Sequence, residues 1–312
     1  MSPSPVGPLA RGTPARDALD GAVTALGAAG CETPRLDAEL LLAHALGISR
    51  ERLFVACMPA SASRGAPSGA SSASGGARQG GDELVVAGTA VRTFQDFVRR
   101  RSVLREPVAY IVGKRHFRQL ELSSDYRALI PRPETELLVE VALTLPKGWR
   151  VLDVGTGSGA VALALKDERP DLHVTGSDLS DGALALARGN GERLGLEVRW
   201  LAADLLEGVP DEFDAILSNP PYVPDGDRAT LAPEIVRHEP ASALFAGEDG
   251  LDAIRPLLDQ AAERSSVRLI ALEVGSGQAA AVGELMRAAG FQSVRVERDL
   301  AGIERVVVGE RA

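Results

Sequence analysis

The chain has 312 residues, of which 45% are apolar and 25% charged, and its formal net charge at pH 7 is −9. This composition excludes a wholly disordered chain, and the length suggests about two domains. No apolar run reaches the roughly 20 residues that a membrane-spanning helix needs, so we expect no membrane association and a cytoplasmic location. The acidic balance argues against stable binding of nucleic acid through its phosphates.

The cysteines and histidines predict neither a disulfide framework nor a bound metal. The chain contains two cysteines and four histidines. Two thiols are too few for a framework of disulfides or for a four-sulfur zinc site, and the histidines lack the spacing of metal ligands.

Helical periodicity dominates the first hundred residues. Apolar residues recur at helical spacing from Ala15 to Ala29. A second helix is predicted to begin with Thr33 as N-cap and Pro34 in the first turn, and to end at Gly47. The helical pattern resumes near Leu84 and continues to about Leu104.

Two segments in this part of the chain lack any periodicity. Residues 1–14 predict a disordered leader, and residues 60–81, nearly all Ser, Ala or Gly, predict a flexible insert. The remainder predicts a small helical domain over residues 15–105. The extended pattern that follows, over 106–124, predicts a β-hairpin that links this domain to the next one.

Strands and helices alternate in the last domain, predicted over residues 125–312. A helix is expected after Pro133, and further helices near 159–168, 181–194, 250–263 and 277–289. This alternation predicts an α/β fold with a doubly wound, mostly parallel sheet that ends in an antiparallel hairpin. The predicted strands are Val151–Val154, His173–Ser177, Val198–Ala202, Ala215–Ser218, Leu269–Glu273, Ser293–Glu297 and Arg305–Val308.

A glycine-rich turn follows the first of these strands. Glycines let the backbone turn sharply and let a ligand approach without a Cβ in the way, and the turn lies where an α/β sheet binds its ligands. The spacing also satisfies the dinucleotide fingerprint, which alone is weak. The turn consists of Gly155, Thr156, Gly157, Ser158 and Gly159.

Acidic residues stand at three successive strands and indicate an adenosine-containing cofactor. Asp153 precedes the glycines, where a carboxylate is expected to help hold the methionine end of S-adenosylmethionine. Asp178 ends the second strand and is placed to accept hydrogen bonds from both ribose hydroxyls, in that cofactor or in a dinucleotide. Asp204, with the neighbouring backbone at Leu205, follows the third strand and is placed to reach the adenine amine.

The fourth strand ends in Asn219, Pro220, Pro221 and Tyr222, the most specific motif of the chain. Successive prolines fix the backbone and remove N–H donors, so the Asn219 side-chain oxygen and the Pro220 carbonyl become two fixed acceptors beside the flat face of Tyr222. Two fixed acceptors suit a planar NH₂ group. Aligning its lone pair with a methyl donor is the main requirement for direct methyl transfer.

Together these motifs resemble class I S-adenosylmethionine-dependent methyltransferases that act on planar amines. Three further segments narrow the resemblance to the release factor glutamine methyltransferases, and with the small helical domain it covers about residues 15–59 and 83–310. These segments are Glu106 to Ile111, Ile130 to Glu136, and His238-Glu239-Pro240.

The resemblance implies methylation of the glutamine in the Gly-Gly-Gln motif of class 1 peptide chain release factors, with S-adenosylhomocysteine as product. It implies that Gly155–Gly159, Asp178 and Asn219 bind the cofactor, and that Asn219–Tyr222 bind the glutamine. The helical domain and hairpin are expected to contact the release factor, and the enzyme is expected to be a monomer without metal. Phe117, Arg132 and Glu134 are expected to line the substrate pocket, although the two charged residues also suit the start of a helix.

Four alternatives remain. A related enzyme for a ribosomal-protein glutamine is expected to have Ser-Pro in place of Arg132-Pro133. An adenine-N6 DNA or RNA methyltransferase needs a basic face, for which Arg99–Arg101 with Arg105 is the best support. An inactive cofactor-binding scaffold is expected to have lost Asn219 or the glycines. An NAD oxidoreductase fits the glycines alone.

Overall fold

The structure, a computed structural model, describes residues 12–58, 84–210 and 212–311. The predicted insert, 60–81, and all but the last three residues of the predicted leader therefore lie outside the described residues. Within the described ranges, no helix combines the length and the apolar character that crossing a membrane requires.

The chain divides into two compact units, Met1–Val112 and Gly113–Ala312. The first unit is helical, and its helices bury one apolar core that includes Leu19, Leu42 and Phe94. Its elements are β1 (Thr13–Pro14), α1 (Ala15–Ala28), α2 (Pro34–Leu46), α3 (Arg50–Cys57), β2 (Val85–Val86), α4 (Thr89–Ser102) and α5 (Val108–Val112).

The predicted ends of α2 are confirmed. Pro34 occupies the first turn after Thr33, and the helix ends at Gly47, whose φ of 64° lies in the left-handed region. The leader prediction is wrong at its last residues, because Thr13 and Pro14 pair antiparallel with Val86 and Val85. This pairing joins residues more than seventy positions apart, so no local sequence pattern predicts it.

The second unit alternates strands and helices as predicted. Its elements are β3 (Lys114–Phe117), β4 (Leu120–Ser123), α6 (Glu136–Leu143), β5 (Arg150–Val154), α7 (Ala160–Glu168), β6 (His173–Asp178), α8 (Asp181–Leu194), β7 (Arg199–Ala202), β8 (Ala215–Ser218), α9 (Pro233–His238), α10 (Ile254–Ala262), β9 (Leu269–Glu273), α11 (Ala279–Ala288), β10 (Ser293–Arg298) and β11 (Glu304–Glu310).

The sheet of the second unit has the strand order β10-β11-β9-β8-β5-β6-β7 in the described part of the chain. Strands β5 to β9 are parallel, while β11 pairs antiparallel with both β9 and the edge strand β10. Side chains alternate between two cores: Val151 packs with α6 and α7, and Leu152 with α10 and α11. The predicted doubly wound, mostly parallel fold with an antiparallel end is thus confirmed.

The β-hairpin is shorter than predicted. Only β3 and β4 pair, from Lys114 opposite Ser123 to Phe117 opposite Leu120. The segment before them is α5, because the Pro107 carbonyl accepts hydrogen bonds from the N–H groups of Tyr110 and Ile111 at 3.0 and 3.1 Å. Alternating apolar residues therefore indicated a strand where a single helical turn buries Ile111 instead.

Asn190 of α8 ties the hairpin to the glycine-rich turn. Its side chain is fully buried, its Oδ1 accepts from the Ser123 N–H at 2.7 Å, and its Nδ2 donates to the carbonyls of Ser123 and Ser158 at 3.2 and 3.0 Å. One amide thereby satisfies backbone groups of two segments that lie far apart in the sequence.

Replacing Asn190 with Ala is expected to lower the free energy of unfolding of this unit by about 2–4 kcal/mol, since it leaves buried backbone groups without partners. Urea unfolding followed by tryptophan fluorescence measures this, because Trp149 and Trp200 both lie in the second unit. Arg188→Ala, at an exposed position of the same helix, is the matched control. Equal midpoints for the two variants contradict the assigned role of Asn190.

Candidate active site

A cavity of about 640 Å³ lies at the carboxyl ends of β5, β6 and β8, where doubly wound sheets bind ligands. It is bounded by most of the residues that the sequence singles out, although Gly159, Tyr222, Phe117, Arg132 and Glu134 do not line it. The predicted residues in its wall are Asp153, Gly155, Thr156, Gly157, Ser158, Asp178, Asp204, Leu205, Asn219, Pro220 and Pro221.

The turn between β5 and α7 requires its glycines. Gly155, Gly157 and Gly159 have φ values of 68°, 58° and 83°. Gly159 also stands in a crowded place, since a Cβ there would lie 3.0 Å from side-chain atoms of both Leu163 and Trp200. The third glycine therefore packs the start of α7 against its neighbours, while the first two shape the cavity wall.

Asp153 holds the glycine-rich turn in place by hydrogen bonds. Its Oδ2 accepts hydrogen bonds from the Thr156 hydroxyl at 2.6 Å and from the Ala162 N–H at 3.2 Å. Burial raises the pKa of the Asp153 carboxyl to about 7, and these two donors oppose the rise. The carboxylate thus fixes the turn and the first turn of α7 while also forming part of the wall.

Asp178 joins the end of β6 to the same turn. Its Oδ2 accepts from the Gly157 N–H at 2.9 Å and its Oδ1 from the Ser180 N–H at 2.8 Å. Burial raises the pKa of Asp178, and the backbone donors lower it. Each carboxylate oxygen has further lone pairs, so this residue retains acceptor capacity in the cavity.

The segment after β7 brings Asp204 and Leu205 to the wall. Leu205 has a φ of 51°, an uncommon left-handed conformation for a branched side chain. The following N–H, that of Leu206, donates to the Gln260 side chain at 2.7 Å, which holds this strained turn in place.

The loop after β8 presents Asn219, Pro220 and Pro221 to the cavity. The Asn219 Nδ2 donates to the Thr135 hydroxyl at 3.1 Å, and no donor among the described residues bonds its Oδ1. Tyr222 lies behind the wall and donates its hydroxyl to Glu273 Oε1 at 3.3 Å. Burial beside this carboxyl raises the pKa of Tyr222, which keeps the phenol protonated.

The sequence interpretation missed Thr135, which lines the cavity, and Glu273, which lies behind the wall and accepts a hydrogen bond from Tyr222. Both are buried. Burial raises the pKa of Glu273 to about 7, opposed by hydrogen bonding from Thr135 and Tyr222. Glu273 ends an apolar central strand, as Asp178 does, and that position is the signal that could have identified it.

The three other residues that the sequence predicts at the substrate pocket, Phe117, Arg132 and Glu134, do not line the cavity. Arg132 pairs at 2.5 Å with Glu239, whose side chain is almost completely buried and also accepts from the Ile130 N–H at 3.0 Å. Phe117 packs inside the core of the second unit, because its position in β3 directs the ring inward, away from the cavity wall. Glu134 lies in the short 3₁₀-helix Pro133–Thr135.

Comparison with known proteins covers parts of both units of the chain. Residues 133–247 match the family described as Methyltransferase small domain, and residues 17–60 match the PrmC N-terminal domain. Among solved structures, the hMettl16 catalytic domain in complex with MAT2A 3′UTR hairpin 6 has a TM-score of 0.50 at 16% identity, covering 72% of this chain and 81% of that one. At 16% identity, the similarity between the two structures shows that they share a fold, the class I methyltransferase fold.

Sequence relatives define the family. The release factor glutamine methyltransferase of Deinococcus radiodurans is 40% identical over 301 residues, which are 95% of this chain and 98% of that protein. The enzyme of the same name from Cereibacter sphaeroides is 41% identical over 304 residues, 94% and 97% of the two chains. Since the similarity extends over both units at this identity, the chain belongs to the family of release factor glutamine methyltransferases.

Proposed function

We propose that this protein transfers a methyl group from S-adenosylmethionine to the side-chain amide nitrogen of a glutamine, the one in the Gly-Gly-Gln motif of class 1 release factors. We propose that the reaction takes place in the cytoplasm, because release factors act there in the termination of translation. Family membership supports the reaction. The observation that carries it is that Asn219, Pro220 and Pro221 line the same cavity as the glycine-rich turn.

The cavity fits the proposed cofactor. When bound, S-adenosylmethionine supplies an electrophilic methyl group on a positively charged sulfur. The wall offers glycines that present backbone without side chains, and the carboxylates of Asp153, Asp178 and Asp204 suit a cation that carries hydroxyl groups. We assign the ribose hydroxyls to Asp178, the adenine to Asp204 and the backbone at Leu205, and the methionine end to Asp153 with Gly155–Gly159.

The glutamine amide is assigned to the loop after β8. Its NH₂ group has two N–H donors, and the chain offers Asn219 Oδ1 and the Pro220 carbonyl as acceptors on a backbone that two prolines make stiff. Hydrogen bonds from both N–H groups to these acceptors fix the orientation of the amide, so that the nitrogen lone pair points away from them and towards the methyl group of the cofactor. The amide nitrogen becomes acidic only after it gains the methyl group, so its proton is lost to water and no strong base is needed.

The remaining predicted residues take supporting roles in this proposal. Arg132 holds the segment that leads to Thr135 through its ion pair with Glu239, and Glu134 lies within the 3₁₀-helix of that segment. The helical unit is proposed to recognise the release factor. In support, its helix α3 exposes Phe54 and Val55, and Met58, which directly follows the helix, is exposed as well, an unusual density of apolar side chains for a surface.

Methyl transfer from labelled S-adenosylmethionine tests the proposal. The substrates are a purified class 1 release factor, the same factor with its Gly-Gly-Gln glutamine changed to Ala, and duplex DNA. Label on the unchanged factor alone is expected. Label on DNA, or on both factors alike, contradicts the assignment of the target.

Asp178→Ala is expected to weaken the binding of S-adenosylmethionine by about 10–100-fold, since hydrogen bonds to a charged acceptor are lost. Titration calorimetry measures the dissociation constant. Asp181→Ala removes an exposed carboxylate three residues away and is expected to leave it within about twofold. Unchanged affinity in a folded Asp178→Ala protein removes the ribose assignment.

Asn219→Ala is expected to lower kcat by about 100-fold or more, because it removes an acceptor that aligns the reacting nitrogen. Cofactor affinity is expected to change much less, so turnover and calorimetry are measured on the same preparation. Thr230→Ala, at an exposed position after the same loop, is the control and retains turnover. Wild-type kcat in Asn219→Ala contradicts the acceptor role.

A further inference from the structure

The loop after β8 carries the two proposed acceptors, and its prolines alone do not fix where these acceptors lie. Pro220 and Pro221 restrict φ within the loop, but a stiff segment can still move as a whole relative to its surroundings. Because the two prolines have no N–H group to donate, the loop has to be anchored through its carbonyls and through the groups of Asn219 and Tyr222. The backbone of Tyr222 provides such an anchor.

The side-chain amide of Gln278, which directly precedes α11, binds the Tyr222 carbonyl. Gln278 Nε2 donates to the carbonyls of Tyr222 and Asp249, at 3.0 Å in each case, and Oε1 accepts from the Gly275 N–H at 2.8 Å. A flipped amide would set its oxygen against two carbonyls and its NH₂ group against an N–H donor. The three partners therefore fix the orientation of the amide.

Gly250 allows the Tyr222 carbonyl and the Gln278 amide to meet. This glycine is buried and has a φ of 76°, in the left-handed region. A Cβ at this position would overlap the Tyr222 carbonyl oxygen and lie 2.6 Å from Gln278 Nε2, so a side chain would displace the loop or the amide. Among the described residues the cavity wall includes neither Gly250 nor Gln278, so their contact with the loop lies outside that wall.

Anchors at both ends of the loop leave the Pro220 carbonyl between them. At one end Asn219 Nδ2 donates to the Thr135 hydroxyl at 3.1 Å, and at the other end the Tyr222 carbonyl accepts from Gln278. Within the described part of the chain, no donor bonds the Pro220 carbonyl itself. This carbonyl is consequently held in place by its neighbours and keeps its lone pairs for a donor group of the substrate.

We infer that Gln278 is a positioning residue for methyl transfer, because by holding the Tyr222 carbonyl it fixes the loop that presents Asn219 Oδ1 and the Pro220 carbonyl. This inference rests on the proposed function. Gln278 bonds neither acceptor and acts through the backbone of the loop. A misplacement of reacting atoms by about 1 Å can lower a rate roughly 100-fold, so a loosened loop is expected to lower turnover.

Loss of this anchor is expected to affect turnover far more than cofactor binding. The proposed cofactor residues lie at the ends of β5 and β6 and after β7, whereas Gln278 follows β9, on the opposite side of β8 in the strand order. Movement of the loop after β8 leaves the turns of β5, β6 and β7 in place. The values of kcat and of the dissociation constant of S-adenosylmethionine therefore report separately on the loop and on the cofactor side.

Two substitutions test the anchor. Gln278→Glu keeps the size of the side chain and an acceptor for the Gly275 N–H, but its ionised carboxylate cannot donate to the Tyr222 carbonyl. Gln278→Ala removes both functions. Each is expected to lower kcat for release factor methylation by roughly tenfold or more, while calorimetry finds the dissociation constant of S-adenosylmethionine within about twofold of wild type. Gln292→Glu, which adds the same charge at an exposed position before β10, is the matched control and retains turnover.

Asparagine signals show whether the effect is confined to the loop. Asn190 and Asn219 are the two asparagines of the chain, so protein labelled with ¹⁵N at asparagine side chains gives two NH₂ signals in NMR spectra, and Asn219→Ala identifies one of them. In both Gln278 variants, exchange of the Asn219 NH₂ protons with water is expected to accelerate roughly fivefold or more, because movement of the loop breaks the bond to Thr135. Exchange at the buried Asn190 is expected to stay unchanged.

The outcomes separate this inference from the proposed function. Unchanged Asn219 exchange in both variants overturns the inference whether or not the enzyme methylates a release factor. Wild-type kcat in both variants also overturns it, as does a loss of cofactor affinity as large as the loss of kcat. Equal acceleration of exchange at Asn190 and Asn219 shows general destabilisation and contradicts a positioning role. If Gln278→Ala does not fold, Gln278→Glu, which has the same size as the wild-type side chain, decides. A wild-type enzyme that labels no release factor contradicts the proposed function, whereas Asn219 exchange still tests the anchor.

Discussion

The site depends on the parallel alignment of β6, β5, β8 and β9. Parallel neighbours end at the same edge of the sheet, so residues more than one hundred positions apart meet there. Each of these strands has a polar side chain at its end or one residue from it: Asp178, Asp153, Asn219 and Glu273 in the order of the strands across the sheet. In the proposed function, the ends of β6 and β5 therefore form the cofactor side of the cavity, and the ends of β8 and β9 lie on its amide side.

Two of these residues are buried carboxylates, and their role is to order loops. Burying Asp153 and Glu273 costs free energy, as the rise of both pKa values to about 7 shows. Apolar side chains would avoid this cost. Each carboxylate instead accepts a hydrogen bond from a loop at the cavity, Asp153 from the Thr156 hydroxyl in the glycine-rich turn and Glu273 from the Tyr222 hydroxyl in the loop after β8. These two carboxylates therefore lower the stability of the folded unit, but they fix the conformation of the loops at the cavity.

The sequence predicts those parts of this arrangement that depend on local patterns. Apolar periodicity placed β5 to β9 within one or two residues, and the glycines and prolines marked the two loops, because each pattern reflects a backbone constraint within a few positions. Local patterns in the sequence do not reveal which residues contact each other across the fold. Phe117 was expected at the pocket although it packs in the core, and Val108–Val112 was expected to be extended although it is helical. Thr135 lies within the segment Ile130 to Glu136, but its sequence position predicts no role for it, since only the tertiary structure brings it to Asn219.

Backbone and side chain are held by different means in the loop after β8. Prolines restrict φ and remove donors, so they determine where the Pro220 carbonyl and the Asn219 backbone lie. They leave the Asn219 side-chain torsions free, and a stiff backbone with a freely turning amide would present an acceptor only part of the time. The hydrogen bond to Thr135 removes that freedom from one end of the amide. In the proposed function this loop offers two acceptors to one nitrogen, and the 3₁₀-helix before α6 is the second segment that holds the amide which supplies one of them.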